Sequence, residues 1–293
     1  MHARLTAGDD ELSGAARPGL VRRFAHDRLA IIGLGVAVLL ILAAVFAGML
    51  APFDPTKTGV APPRSGPSIA HLLGADSLGR DVFSRLVFGA RASLTVGLVA
   101  VALNVVLGVL IGGVAGYAGG GWDLGLMRLA DVVLAFPLFV VVVAAVAIIG
   151  PSLWNVVLVL GLLGWPPVAR LVRANVLAVR TLAYVEAAHA LGASGARILF
   201  QHVLPNVLAP VVVITAFGVA RAVLLESALS FLGLGVQAPT PSWGNMLAEA
   251  QSLTVLESLP HLWIPPGVAI AVLVASINLV GDGLRTATDT RLR

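Results

Sequence analysis

The side chains that could do chemistry are few and scattered. His71, His189, His202 and His261 stand at spacings that fit neither a metal-ligand set nor a catalytic triad, and Ser and Asp residues do not gather around them. Cysteine is absent, which removes thiolate metal sites, disulfides and cysteine nucleophiles. No Gly-x-x-x-x-Gly-Lys-Ser/Thr phosphate loop occurs. The expectation is a chain with no catalytic residue, no metal site and no cofactor of its own. Two polar features still need an account. Arg221 and Glu226 lie within an apolar run, where charge is costly and turns toward protein or a water-filled cavity. Five residues apart, they are rotated about 140° from each other on a helix, which does not favour a pair on one face. Glu226 is therefore a candidate for lining a water-filled pathway or for a contact with another subunit, and Arg221 shares that candidacy. The second feature is Glu186-Ala187-Ala188-His189-Ala190-Leu191-Gly192, closing at Val203-Leu204-Pro205. Its small side chains would let another surface approach the backbone, and Glu186 offers a fixed charge to an Arg or Lys. A linker helix lying on the membrane is the alternative.

The elements around these residues belong to a membrane protein. Of 293 residues 58% are hydrophobic and only 12% charged, far more apolar than one soluble core can use. Residues 1–28 are polar and carry Arg4, Arg17, Arg22, Arg23 and Arg28; residues 29–50 then run without charge for roughly 33 Å as a helix, enough to cross a bilayer. Residues 51–92 form a Pro- and Gly-rich loop in which 76–88 reads as an amphipathic interfacial helix. Further spans are expected at about 94–117, at 126–149 with a break at Pro137, from 153 through a bend at Trp165-Pro166-Pro167, at 207–228 and at 262–280. Ser194 is a plausible N-cap for a short helix after Gly192 ends the first, with Pro205 halting it before the next span. Asp131, three residues after Arg128, reads as a helix-end pair. Trp154, Trp165 and Trp263 read as interface anchors. Trp243 and Asn245, in the loop before the last span, are candidates for docking an external protein or for an interfacial cap over the pore.

Six spans put both termini on one side. That side holds thirteen Lys and Arg residues, against five in the first long loop and none between residues 230 and 261. The positive-inside rule then makes 1–28 a cytoplasmic segment, 285–293 a cytoplasmic tail and the Glu186 segment cytoplasmic. The five loop residues, Lys57, Arg64, Arg80, Arg85 and Arg91, are expected at the lipid headgroups. Single arginines dispersed among apolar spans answer to the bilayer, not to nucleic acid.

Longer strings sharpen the reading. Glu-Ala-Ala, three residues, Gly, then Leu-Pro resembles the loop motif of the membrane subunits of ABC-type importers. With it stand 73–81 (Leu-Gly-Ala-Asp-Ser-Leu-Gly-Arg-Asp), Ala135-Phe136-Pro137, His202-Val203-Leu204-Pro205-Asn206, 229–235 (Leu-Ser-Phe-Leu-Gly-Leu-Gly) and 241–246 (Pro-Ser-Trp-Gly-Asn-Met). Together, across about 22–293, these are similar to the C-type permease subunit of dipeptide and oligopeptide importers. The one departure is His202, where the general motif commonly has Ile. The resemblance implies an all-α integral membrane protein of six transmembrane helices with the type I ABC importer permease fold: a first helix at 29–50, an extracytoplasmic loop at 51–92, and a transmembrane domain of five helices at 93–284 carrying a coupling segment at 181–205. It implies half of a translocation pathway shared with a paralogous permease, two ABC ATPase subunits or domains that bind ATP and Mg, and an extracytoplasmic substrate-binding protein. Glu186, Ala187, Ala188 and Gly192 would receive force from the ATPases, with Leu204 and Pro205 fixing re-entry into the membrane. Nickel complexes, haem or glutathione are alternative cargoes. A self-contained ion-driven carrier or channel is the competing class, disfavoured by the scarcity of intramembrane charge and the lack of an evident inverted repeat.

Overall fold

The computed structural model describes residues 23–288. The basic residues Arg4, Arg17, Arg22, Arg291 and Arg293, and most of both terminal segments, lie outside them. Helix α1 (Arg28–Val45) starts where the Asp27 carboxylate accepts from the backbone of Leu29 and Ala30 at 3.0 and 3.2 Å. Its buried residues are Ala30, Gly33, Ala37 and Ala44, while Leu29, Ile32 and Leu39 are about three-fifths exposed. A soluble helix would have these reversed. In lipid, bulky apolar side chains gain nothing from hiding, whereas small ones let helices approach, so α1 lays its small-residue stripe on the last helix, α11 (Pro260–Thr288).

Helix α2 runs from Val82 to Ala118, 37 residues or about 55 Å, well beyond the ~30 Å of a bilayer core. The separate interfacial helix expected over 76–88 is absent. Residues 76–81 form a turn, Asp81 caps α2 by accepting from the Ser84 amide at 2.7 Å, and 82–88 are the first turns of the span itself. Next come α3 (Gly120–Leu134) and α4 (Leu138–Ile149), which meet at an 81° bend across Ala135-Phe136-Pro137. Helices α5 (Leu153–Leu163) and α6 (Pro166–Val179) make one broken span around Trp165-Pro166-Pro167. After α7 (Ala183–Ala190), a helical turn at Gly195–Arg197 leads through a π-helical turn, Ile198–Val203, into α8 (Leu204–Phe231). Ser194 caps that turn as expected, but Pro205 does not halt it. Pro205 falls in the first turn of α8, where its missing N–H costs little, and the wide π turn before it carries the chain through. Short helices α9 (Trp243–Leu247) and α10 (Leu253–Ser258) precede α11. Among the described residues, five helical stretches are long and apolar enough to cross a membrane, and α3 with α4 makes a sixth if the bent pair is one span.

The long helix α2 lies at the centre, touching α1, α3, α5, α6, α8 and α9. Glycines govern how closely. A Cβ on Gly112 would stand 2.3 Å from the Ala169 carbonyl oxygen, and one on Gly108 or Gly116 would strike Val168 or Val176, so one glycine row spaced by four lies directly on α6. On another face, Gly97 receives Val223 of α8. Trp165 is 5% exposed, packed with Ala130 and Ala169, so it is a core residue and not an interface anchor; Trp154, 61% exposed, keeps an anchor's position.

Adding a methyl to a helical glycine ordinarily stabilises the helix by roughly 0.5–1 kcal/mol. Gly112→Ala should reverse that sign and destabilise the folded chain by about 1–3 kcal/mol, because the obstacle is backbone. Gly125→Ala, with nothing within 4 Å, should be neutral or better. Thermal unfolding of the two variants in detergent checks the contrast.

Candidate functional site

Helix α7 lies at the end of the bundle where α2 and α6 finish and α8 begins. Val185, fully buried, is its anchor, inserted among Val172 and Val176 of α6 and Ile198, Leu199 and Val203 of the π turn. Ala188, half-buried, packs against the same cluster, whereas the opposite face is bare: Glu186 and Ala187 are exposed and Leu191 is 88% exposed. Glu186 has no hydrogen-bond or ion-pair partner among the described residues. Gly192 ends the helix at φ +79°, with its amide on the His189 carbonyl at 2.9 Å and the Ala193 amide on that of Ala188 at 3.1 Å. A side chain at Gly192 would point into open space. Leu204 is buried, while Pro205 is exposed.

Polar contacts tie this small helix to the long ones. Tyr117, next to last in α2, stacks on His189, with its hydroxyl 3.1 Å from Nε2, and Arg180 donates to the Gly116 carbonyl at 2.9 Å. Toward α8, the Tyr184 hydroxyl donates to the His202 carbonyl at 3.3 Å, and Asn206 Nδ2 donates to that carbonyl and to the Tyr184 oxygen. Displacing α7 therefore pulls on α2 and α8 together. The contacts of Tyr117 with His189 and of Tyr184 with His202 and Asn206 are not visible in the sequence, since these partners lie 18 to 72 positions away.

The other candidates lie apart from α7. Glu226 is fully buried, accepting from Ser93 of α2 at 2.9 Å and from Ser230 at 2.7 Å. Its carboxylate joins α8 to α2 within the chain. Arg221 is exposed, has no ion-pair partner among the described residues, and lines a cavity bounded by α2, α5, α6 and α8 and by the α3–α4 bend. Trp243 is 1% exposed. Its indole N–H donates to the Leu86 carbonyl at 2.9 Å, and Gly89 leaves room for the ring. A docking surface would need it outside. Asn245 completes a capping box with Ser242 and donates to the carbonyls of Val236 and Thr240, closing the 232–242 loop.

The loop arginines are likewise not all at headgroups. Arg80 donates to Asp76 at 2.6 Å, Arg85 Nε lies 3.4 Å from the same carboxylate, and all three side chains are nearly buried. Ser77 donates to Glu249 at 2.8 Å, while Asp81 takes His71 and Ser84. Arg91 donates to the carbonyls of Ala44 and Val45, fastening α1 to α2. Asp131 pairs mainly with Arg170 across helices at 2.6 Å, with Arg128 at 3.8 Å, and Asp123 pairs with Arg173.

Two families match the chain. The family described as Binding-protein-dependent transport system inner membrane component covers residues 108–293, and the N-terminal TM domain of oligopeptide transport permease C covers 20–67. A dipeptide transport system permease protein of Alkalihalophilus pseudofirmus is 40% identical over 272 residues, 93% of this chain and 89% of the relative. A glutathione transport system permease protein of Pectobacterium atrosepticum is 42% identical over 274 residues, 93% and 90% of the two. Among solved structures, the inward-facing MetNI methionine ABC transporter aligns with a TM-score of 0.57 at 20% identity, covering 70% of this chain and 97% of that one. The last likeness speaks to the fold, which is that of a type I importer permease.

Anchor and bare face separate cleanly by mutation. Val185→Ala should cost about 2 kcal/mol of stability, since it empties a buried site. Glu186→Gln should stay within about 0.5 kcal/mol of the parent. Thermal unfolding of the purified chain distinguishes them.

Proposed function

This chain belongs to the family of binding-protein-dependent transport system inner membrane components, and from that premise we propose that it forms half of the translocation pathway of an ATP-driven importer for di- or oligopeptides. As a multi-pass permease component it is not itself the enzyme. ATP and Mg belong to two ATPase subunits or domains, a paralogous permease supplies the other half of the pathway, and an external binding protein delivers cargo. The relatives named for dipeptide and glutathione transport support a peptide cargo, glutathione being itself a small peptide. Orientation follows from the charge distribution, with termini and α7 in the cytoplasm.

The observation that carries the mechanism is the contrast across α7: a small-residue face with an unpaired Glu186 outward, and a buried Val185 inward. An ATPase seated on Glu186, Ala187, Ala188 and Gly192 would find a rigid handle. Closure of the ATPase dimer pushes that handle, and the ties to Tyr117 and Asn206 carry the push into α2 and α8. Leu204 and Pro205 set the angle at which α8 re-enters the membrane.

Reconstitution with the partner permease, ATPases and binding protein should give ATP-dependent uptake from a peptide panel, and purification of this chain should bring an ATPase with it. Uptake driven by an ion gradient without ATPases would make the chain a carrier instead. Within the working complex, Gly192→Asn keeps the left-handed backbone that Asn tolerates but fills the open space. Uptake should fall about tenfold while the ATPases continue to turn over. Unchanged uptake would mean that only the backbone angle matters there.

A further inference from the structure

Two hydrogen-bond relays from the 232–242 loop and the start of α9 end on Glu226. The Val236 amide donates to Ser230 Oγ at 3.0 Å, and Ser230 donates in turn to Glu226 Oε1 at 2.7 Å. The Trp243 amide donates to Ser93 Oγ at 3.4 Å, and Ser93 donates to Glu226 Oε2 at 2.9 Å. A hydroxyl has a single hydrogen, so a serine that accepts a backbone amide still has that hydrogen to give to the carboxylate. Both relays therefore run one way, and each needs an acceptor at its end. A carboxylate supplies two, whereas an amide side chain supplies one and turns its NH2 toward the other serine.

The same residues fold the loop back onto α8. Gly233, at φ +78°, ends the helix with its amide on the Ser230 carbonyl at 3.1 Å, and the Leu234 amide reaches the Leu229 carbonyl at 2.8 Å. A Cβ on Gly235 would strike Ser230 and one on Gly244 the Ser227 backbone, so the chain on both sides of the loop tip lies against α8. Val236 is 4% exposed, while Gln237 to Thr240 form an exposed tip. What the loop covers is one end of the cavity that Arg221 lines. Leu138, Leu160, Leu163 and Leu225 line that cavity and also belong to one apolar cluster with Leu234. Away from the cavity the cluster continues through Val142 and Val146 of α4, Val156 of α5 and Leu229 of α8, all fully buried. Along α8 it rises from Leu225 to Leu229 near the Phe231 end, the outer end on the orientation proposed above.

We infer that residues 229–236 and this cluster form the outer gate of the translocation path, and that Glu226 is the positioning residue that holds the gate shut from behind through Ser230 and Ser93. Separation of α8 from α2 draws Ser93 off the carboxylate and loosens the latch. The push at α7 acts on the same two helices through Tyr117 and Asn206, so displacement at one end of the bundle reaches the latch at the other. This rests on the importer reading and its orientation, and deepens them by naming the residue that ties the gate to α2 and α8.

The chain has no cysteine, so single cysteines report on the gate. In the full reconstituted complex, Val236→Cys puts a thiol in the buried part of the loop and Gln237→Cys one at its exposed tip. Each is reacted with a membrane-impermeant maleimide added on the binding-protein side. A buried thiol reacts through its opened population, so Val236→Cys should label about tenfold faster in the complex trapped with ATP than without nucleotide, and Gln237→Cys equally in both. Adding Glu226→Gln should erase the difference by making Val236→Cys about tenfold faster without nucleotide, the shift expected for one lost charge-assisted hydrogen bond. Equal labelling of Val236→Cys in the two nucleotide states would make the loop a static helix cap and overturn the gate. A nucleotide dependence that survives Glu226→Gln would overturn Glu226 as its latch. Should that variant fail to assemble, Ser230→Ala, which cuts one relay and leaves Ser93 on Glu226, decides in the same way. Labelling of Gln237→Cys only from the α7 side overturns the orientation and the gate with it. A parent complex that imports no peptide overturns the importer reading itself, a result distinguishable from a gate that does not move.

Discussion

The close approach of α6 to the glycine row Gly108, Gly112 and Gly116 of α2 is the contact on which the rest of the bundle depends. Lipid tails are as apolar as leucine, so burial of bulky side chains cannot drive these helices together; van der Waals contact between backbones must. With the Ala169 carbonyl at the place where a Gly112 Cβ would stand, α2 and α6 touch along their main chains. That contact sets where α6 ends, and thus where Arg180 reaches Gly116 and where α7 hangs. On its other faces α2 receives α8 at Gly97 and the Trp243 ring at Gly89, so one helix organises both ends of the molecule.

Polar joints then fix what glycine contacts leave free to slide. Ser93 and Ser230 hold Glu226 between α2 and α8, Trp243 pins the loop before α9 to α2, and Asp76 gathers Arg80 and Arg85 beside the start of α2. Buried polar groups of this kind are costly unless paired, and each of these carboxylates has its donors close at hand. Asn104 Oδ1 stands out by contrast, as a buried oxygen with no such partner among the described residues.

The α7 segment combines rigidity with exposure. Its inner side is locked by Val185, and its outer side exposes Glu186, Ala187 and Leu191. The ties at Tyr117, Tyr184 and Asn206 connect it to two spans at once. His202, the departure from the common pattern, contributes through its backbone carbonyl, which any residue could supply.

Sequence alone determined the membrane class, the apolar spans, the break at Pro137, the kink at Trp165-Pro166-Pro167, the Ser194 cap and the helix end at Gly192. All follow from composition, hydrophobic runs or local backbone chemistry within a few residues. Tertiary structure alone decided which polar residues face inward. Arg80 and Arg85 read as headgroup charges until Asp76 is seen between them, Trp243 reads as an exposed loop aromatic until Leu86 and Gly89 enclose it, and Glu226 reads as a charge without a partner until Ser93, 133 positions away, reaches it. The start of α2 was hidden for the same reason, since charges that end a span on paper are neutralised by partners the fold brings in. Periodicity reports which residues share a face, but only packing reports what that face meets.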